Sequence, residues 1–191
     1  MSDSPVRICV AYHSGYGHTA RMAQAVHDGA AAVSGVSSVL IQVGSMTDAD
    51  WSGLDAADGI VFGSPTYMGS ASPEFHAFSH ASSTRWGRQQ WKDKVAAGFT
   101  TSGAMSGDKL NTLQYFTVLA AQHGMHWVNL DLLPGGTDRD LNRLGGWLGA
   151  LAHCPGDHEP SAMNQADLAT ARHLGTRVAH VAAHLRRPAD A

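Results

Sequence analysis

The stretch Val6-Arg7-Ile8-Cys9-Val10-Ala11-Tyr12-His13-Ser14-Gly15-Tyr16-Gly17-His18-Thr19 decides the fold. It opens as an apolar run that suits a strand buried on both faces. It continues as a turn rich in glycine and hydroxyl groups. Beyond it, Met22, Val26, Ala30 and Val33 recur at helical spacing. Strand, turn and helix N-terminus together make an anion site, because the first amides of a helix lack partners and its dipole favours negative charge. Gly15 and Gly17 let the backbone close on a phosphate, and Ser14 and Thr19 add neutral donors. The bland alternative is an ordinary strand-to-helix turn.

Three kinds of loop compete for this turn. A triphosphate loop ends in Gly-Lys-[Ser/Thr], and no lysine lies near. A dinucleotide loop fits better, since Gly15-x-Gly17-x-x-Ala20 satisfies its pattern. That loop also needs an acid at the end of the second strand to hold a ribose. The second strand is expected at Val36 to Val43, and Gly44-Ser45 follows it, so the acid is missing. The third kind holds a monophosphate with hydroxyls and backbone amides and no cationic side chain. Ser14 and Thr19 suit it.

The 191 residues suit a single domain spanning 1–191 with a sizeable core. Hydrophobic content of 43% against 15% charged excludes a disordered chain. No apolar run approaches a membrane span, and Met1-Ser2-Asp3-Ser4-Pro5 lacks the features of a signal peptide, so a cytoplasmic protein is expected. A net charge of −3 argues against a nucleic-acid surface and is mild for a carrier that docks through an acidic face. Cys9 and Cys154 have no partner at redox spacing, which fits a reducing compartment.

Short apolar runs at Val6–Tyr12, Val36–Val43, Gly59–Gly63, Lys94–Thr100 and His126–Leu130 alternate with helical patterns. Ser72-Pro73-Glu74 is a helix start, Leu110 to His123 is a helix ended by Gly124, and Gln165 to Leu185 is the last. The expectation is an α/β, doubly wound, five-stranded parallel sheet of order 2-1-3-4-5 with helices on both faces. The stretch from Pro134 to Pro160 reads as a long loop that covers a site or forms a subunit contact. Ligands bind such a sheet beyond the carboxyl ends of its strands. Ser14–Thr19, Ser64–Ser72 and Thr100–Asp108 converge there.

These residues resemble the flavodoxin-like FMN proteins, and among them the tetrameric NAD(P)H:quinone oxidoreductases of the tryptophan-repressor-binding-protein type. Ser14-Gly15-Tyr16-Gly17-His18 is similar to that family's phosphate loop. Gly63-Ser64-Pro65-Thr66-Tyr67-Met68-Gly69 is similar to its loop beside the isoalloxazine, and Phe99-Thr100-Thr101-Ser102-Gly103 to its third flavin loop. Leu119-Ala120-Ala121-Gln122-His123-Gly124-Met125 resembles its Leu-Ala-x-His-Gly-Met segment, and Glu159-Pro160-Ser161 with Ala171-Arg172 resembles the start of its last helix. The chain departs from the family at Tyr67-Met68 and at Ala104-Met105-Ser106-Gly107. Leu141 to Gly149 looks like a related branch of flavodoxin-like reductases. The departures fall where substrate would sit.

The resemblance implies FMN as cofactor and NAD(P)H as electron donor. The FMN-binding residues it implies are Ser14, Gly15, Tyr16, Gly17, His18, Thr19, Pro65, Thr66, Tyr67, Met68, Gly69, Thr101, Ser102, Gly103 and Gly107. It implies a catalytic role for His123 at the pyrimidine edge, against the alternative of a histidine that caps a helix C-terminus. It places Trp86 in the substrate pocket, within its own chain or across a subunit boundary, against the alternative of a surface or core aromatic. It also implies a homodimer or homotetramer and a quinone-like small-molecule acceptor. His76 with His80, and His180 with His184, have helical spacing but no further ligands beside them, so no metal site is expected. The function expected is an FMN-dependent oxidoreductase passing two electrons from NAD(P)H to a quinone or similar acceptor. A flavodoxin-like electron carrier and an NAD(P)H-dependent flavin reductase are the alternatives.

Overall fold

The computed structural model describes residues 4–186. The strands are β1 (Val6–Tyr12), β2 (Val36–Gln42), β3 (Gly59–Tyr67), β4 (Ser70–Ala71), β5 (Val95–Ser102), β6 (His126–Trp127) and β7 (Ala150–His153). The helices are α1 (His18–Ala31), α2 (Asp48–Asp55), α3 (Pro73–Ala81), α4 (Ser83–Gly87), α5 (Lys109–Gln122) and α6 (Gln165–Leu185). The sheet runs β2-β1-β3-β5-β6, with β4 folded back antiparallel on β3 and β7 also paired to β5. The expected parallel, doubly wound order is what forms, with the predicted fourth and fifth strands becoming β5 and β6.

The fifth strand needs correction. It was expected over His126–Leu130, yet only His126 and Trp127 pair, opposite Val95 and Ala96. Opposite Phe99 to Ser102 the edge is β7, which lies inside the stretch expected to be a loop. The cause is steric. Trp127 lays its indole over Gly98, where a Cβ would stand 2.9 Å from the ring, and donates Nε1–H to the Leu148 carbonyl at 3.0 Å. The chain leaves the edge there and returns at Gly149, which packs against the Gly98 backbone.

The excursion is pinned by a buried ion pair. Arg143 donates Nε–H and Nη2–H to the two carboxylate oxygens of Asp167, at 2.7 and 2.8 Å. Asp167 also accepts the His153 amide at 3.0 Å. One carboxylate thereby joins the excursion, β7 and α6.

Each sheet face carries its own core. On one, α1 and α6 cover Ile8, Val10, Val61 and Phe99. These helices cross so closely that a Cβ on Gly29 or on Gly175 would collide with the other helix's backbone, and Thr176 donates to the Gly29 carbonyl at 2.9 Å. On the other face Phe62, Phe75 and Phe116 pack together, with the Phe75 and Phe116 rings 4.7 Å apart. Each such ring contributes roughly 1.5–3 kcal/mol by leaving water.

Candidate functional site

Because β1, β3 and β5 are parallel neighbours, their carboxyl ends open on one edge of the sheet. The connection after β1 passes to one face and that after β3 to the other, which leaves a crevice between them.

The first loop runs from β1 into α1. Gly17 caps the helix at φ 88°, a left-handed conformation that glycine takes without strain. The first intrahelical bond runs from the Arg21 amide to the Gly17 carbonyl at 3.1 Å. No side chain caps this end, so the amides of His18, Thr19 and Ala20 are free for an anion. The Ser14 hydroxyl accepts from the Gly17 amide at 3.1 Å and holds the turn. The buried Thr19 hydroxyl lies 3.0 Å from that of Thr101. His18 donates Nε2–H to the His158 carbonyl at 2.8 Å, which ties the helix start to the segment after β7.

The second loop is the turn from β3 into β4, through Met68 at φ 47° and Gly69 at φ 80°. Thr66 sits in a chain of buried hydroxyls, 2.8 Å from Thr100 and 2.8 Å from Thr112. Asn111 donates to the Gly69 carbonyl at 2.7 Å and fixes the turn on α5. The Tyr67 hydroxyl reaches over the first loop, where a Cβ on Gly15 would come within 2.5 Å of it. Burial, with Tyr16 and Glu74 nearby, raises the Tyr67 pKa, so its hydroxyl stays protonated and able to donate. Met68 projects fully into solvent beside it.

The third loop leaves β5 at Ser102 and re-enters helix at Lys109. Lys109 is 1% exposed and donates to the Ser102 hydroxyl at 2.6 Å and to the carbonyls of Ala104 and Met105 at 3.0 and 2.8 Å. Burial lowers its pKa to about 8, with Asp167 pulling it up and Arg143 pushing it down. Gly107, at φ 57°, packs against the Ser102 side chain.

Together the loops enclose a cavity of about 130 Å³. Of the residues expected to bind cofactor, Tyr16, His18, Thr19, Pro65, Thr66, Tyr67, Thr101, Ser102 and Gly103 line it. Ser14, Gly15, Gly17, Met68, Gly69 and Gly107 shape the turns around it. Sequence reasoning missed Cys154 and Gly156, which also line it, and Lys109 beneath the third loop. Burial and the charges of Asp167 and Asp157 raise the Cys154 pKa, so it is a neutral thiol.

The structure does not bring His123 to this cavity. It caps the far end of α5, a helix of 14 residues that carries the chain about 21 Å from the third loop. His123 is 2% exposed, its ring lies 4.4 Å from that of Trp91, and its Nε2 is 2.9 Å from the Ser82 hydroxyl. Burial lowers its pKa to about 4. Within one chain His123 is a buried helix-end histidine away from this cavity, so a catalytic role for it, like a substrate role for Trp86, would need a second copy. Trp86, 49% exposed in α4, stands at the same end, close to Ser82 and away from the three loops. Among the described residues no cluster of three or more His, Cys, Asp or Glu could hold a metal.

The cavity fits FMN on its donor chemistry. Three unpartnered amides at a helix start, flanked by the hydroxyls of Ser14 and Thr19, suit a terminal phosphate. The aromatic pair Tyr16 and Tyr67, with rings edge to face at 6.4 Å, borders the space beside it.

Comparison with known proteins agrees. A flavodoxin, WrbA-like protein from Agrobacterium tumefaciens superposes with a TM-score of 0.78 at 42% identity, covering 95% of this chain and 99% of that one. The flavodoxin FldP of Pseudomonas aeruginosa is 42% identical over 92% of this chain and 96% of its own length. An NAD(P)H dehydrogenase (quinone) of Geotalea uraniireducens is 30% identical over 95% of this chain and 100% of its own length. The profile of the NADPH-dependent FMN reductases matches residues 10–134. The chain therefore belongs to the NADPH-dependent FMN reductase family, flavodoxin-like in fold, with FMN as cofactor and a reduced nicotinamide as electron donor.

Proposed function

We propose that the protein passes two electrons from NAD(P)H through FMN to a quinone or a similar small oxidant. The observation that carries this reading is the helix start at Gly17, whose free amides face a cavity closed by two further donor-rich loops. FMN supplies the redox chemistry, and the chain's residues bind and orient it. The amides of residues 18–20, with Ser14 and Thr19, hold the phosphate. Pro65 to Gly69 border the ring system, with Tyr67 on one side and Met68 at the mouth. Thr101, Ser102 and Gly103 meet the pyrimidine edge. The 30% identity to a protein named NAD(P)H dehydrogenase (quinone) supports a quinone as acceptor.

Trp86 lies too far from this chain's own loops to touch substrate there. A substrate role for it requires a second copy that carries it to the neighbouring site, as in the homodimer or homotetramer implied by the resemblance.

One observation favours a second reading, an electron carrier: the 42% identity to a protein named flavodoxin. The net charge of −3 and the exposed Met68 in place of a shielding aromatic favour the enzyme. The test is steady-state oxidation of NADPH and NADH by the FMN-loaded protein, with and without benzoquinone. Multiple turnovers that depend on quinone support the enzyme. Reduction so slow that it yields no turnover supports the carrier.

A further inference from the structure

Lys109 breaks three local rules at once. It is the first residue of α5, where the helix dipole opposes a cation, and the acid at this end, Asp108 at the N-cap, is exposed and makes no bond to it. It is a lysine buried to 1% exposure, and lysine is almost never fully buried without a charged partner. Its direct bonds go to one hydroxyl and two carbonyls, and no carboxylate touches it. Violations of this kind mark functional positions.

The bonds have a geometric consequence. In a trans peptide the C=O and the following N–H point in opposite directions. With the Ala104 and Met105 carbonyls drawn in toward the ammonium, the N–H groups of Met105 and Ser106 are turned to the other side of the loop. That side is open, because residues 103–106 are exposed. Among the described residues neither N–H has a partner. Ser102, which lines the cavity, is held from below by the same ammonium and itself donates to the Ala104 carbonyl at 2.8 Å.

We propose that Lys109 is a positioning residue for reduced FMN: it aims two backbone donors at the flavin edge and sets a positive charge behind them. This rests on the FMN reading above and deepens it. Reduced flavin gathers negative charge along its N1–C2 carbonyl edge, so donors and a cation at that edge favour the reduced over the oxidised cofactor. Two other buried charges bear on Lys109, Asp167 from α6 and Arg143 from the excursion before β7. These two pair with each other, which leaves the lysine charge uncompensated.

The test uses the full-length, FMN-loaded protein and the variants Lys109→Met and Lys109→Arg. Affinity for oxidised FMN is titrated, and the midpoint potential is read against a reference dye. In Lys109→Met the reduced form loses at least about tenfold more affinity than the oxidised form, which lowers the two-electron potential by about 30 mV. Lys109→Arg keeps the wild-type potential. An unchanged potential in Lys109→Met, with oxidised and reduced FMN weakened equally, overturns the proposal and leaves Lys109 a loop scaffold. Should Lys109→Met not fold, Lys109→Gln keeps a donor without the charge and is read in the same way. The reduced wild-type protein gives an independent readout, since its spectrum at neutral pH is that of anionic flavin. A neutral-flavin spectrum overturns the proposal. Wild-type protein that binds no FMN overturns the cofactor reading itself and is seen before any variant is made.

Discussion

The Thr19 hydroxyl at the start of α1 lies 3.0 Å from the Thr101 hydroxyl at the end of β5. Both are buried, and the bond joins two loops that are 82 residues apart. The first and third loops are therefore one mechanical unit. Thr19→Val keeps the shape and leaves the Thr101 hydroxyl unpaired. The expected cost is about 1–3 kcal/mol in denaturant unfolding of the apo protein. On the proposed phosphate assignment FMN affinity falls about tenfold or more, because Thr19 is one of its donors. Fluorescence quenching on FMN binding measures the second effect.

A carboxylate at the helix start tests the phosphate assignment separately. Ser14→Asp sets a negative charge beside the amides that would receive the phosphate, and it can still accept from Gly17. The expected result is a chain of near wild-type stability whose FMN affinity falls about a hundredfold, since the dipole site is filled and like charges repel. Unchanged affinity contradicts the assignment.

His123 gives a pH signature. Burial lowers its pKa from 6.5 to about 4, so the unfolded chain takes up a proton first as pH falls. Its contribution is intact above about 6.5 and is lost between there and 4, by roughly 3 kcal/mol in all. Urea midpoints across that range measure it, and His123→Gln flattens this part of the curve.

Arg143 holds the excursion before β7. Arg143→Met leaves the Asp167 carboxylate buried without its partner, at an expected cost of about 3–5 kcal/mol. The loss shows in denaturant unfolding and in faster proteolysis between residues 128 and 149, where the excursion is released from α6.

The strand order was legible because β1, β3 and β5 are continuous apolar runs with strong turn residues after them. The three loops were legible because glycine and hydroxyl residues cluster at those strand ends. β7 was not legible: Ala150-Leu151-Ala152-His153 has neither β-branched residues nor alternation, and only the return of the chain at Gly149 makes it a strand. α2 was missed although Thr47 and Asp50 form a capping box, because eight residues are too few for periodicity to show. Cys154 and Gly156 reach the cavity through that same return. His123 lies away from this chain's own cavity for a reason the sequence already held, since a helix that starts at the third loop carries its last residue to the opposite end of the sheet.

The most direct test of the account is the visible spectrum of the purified protein with FMN, then with NADPH or NADH, then with benzoquinone. The predicted result is a bound-flavin spectrum that bleaches with the nicotinamide and recovers with the quinone, over many cycles. A protein that binds no flavin, or binds flavin that neither nicotinamide can bleach, contradicts it.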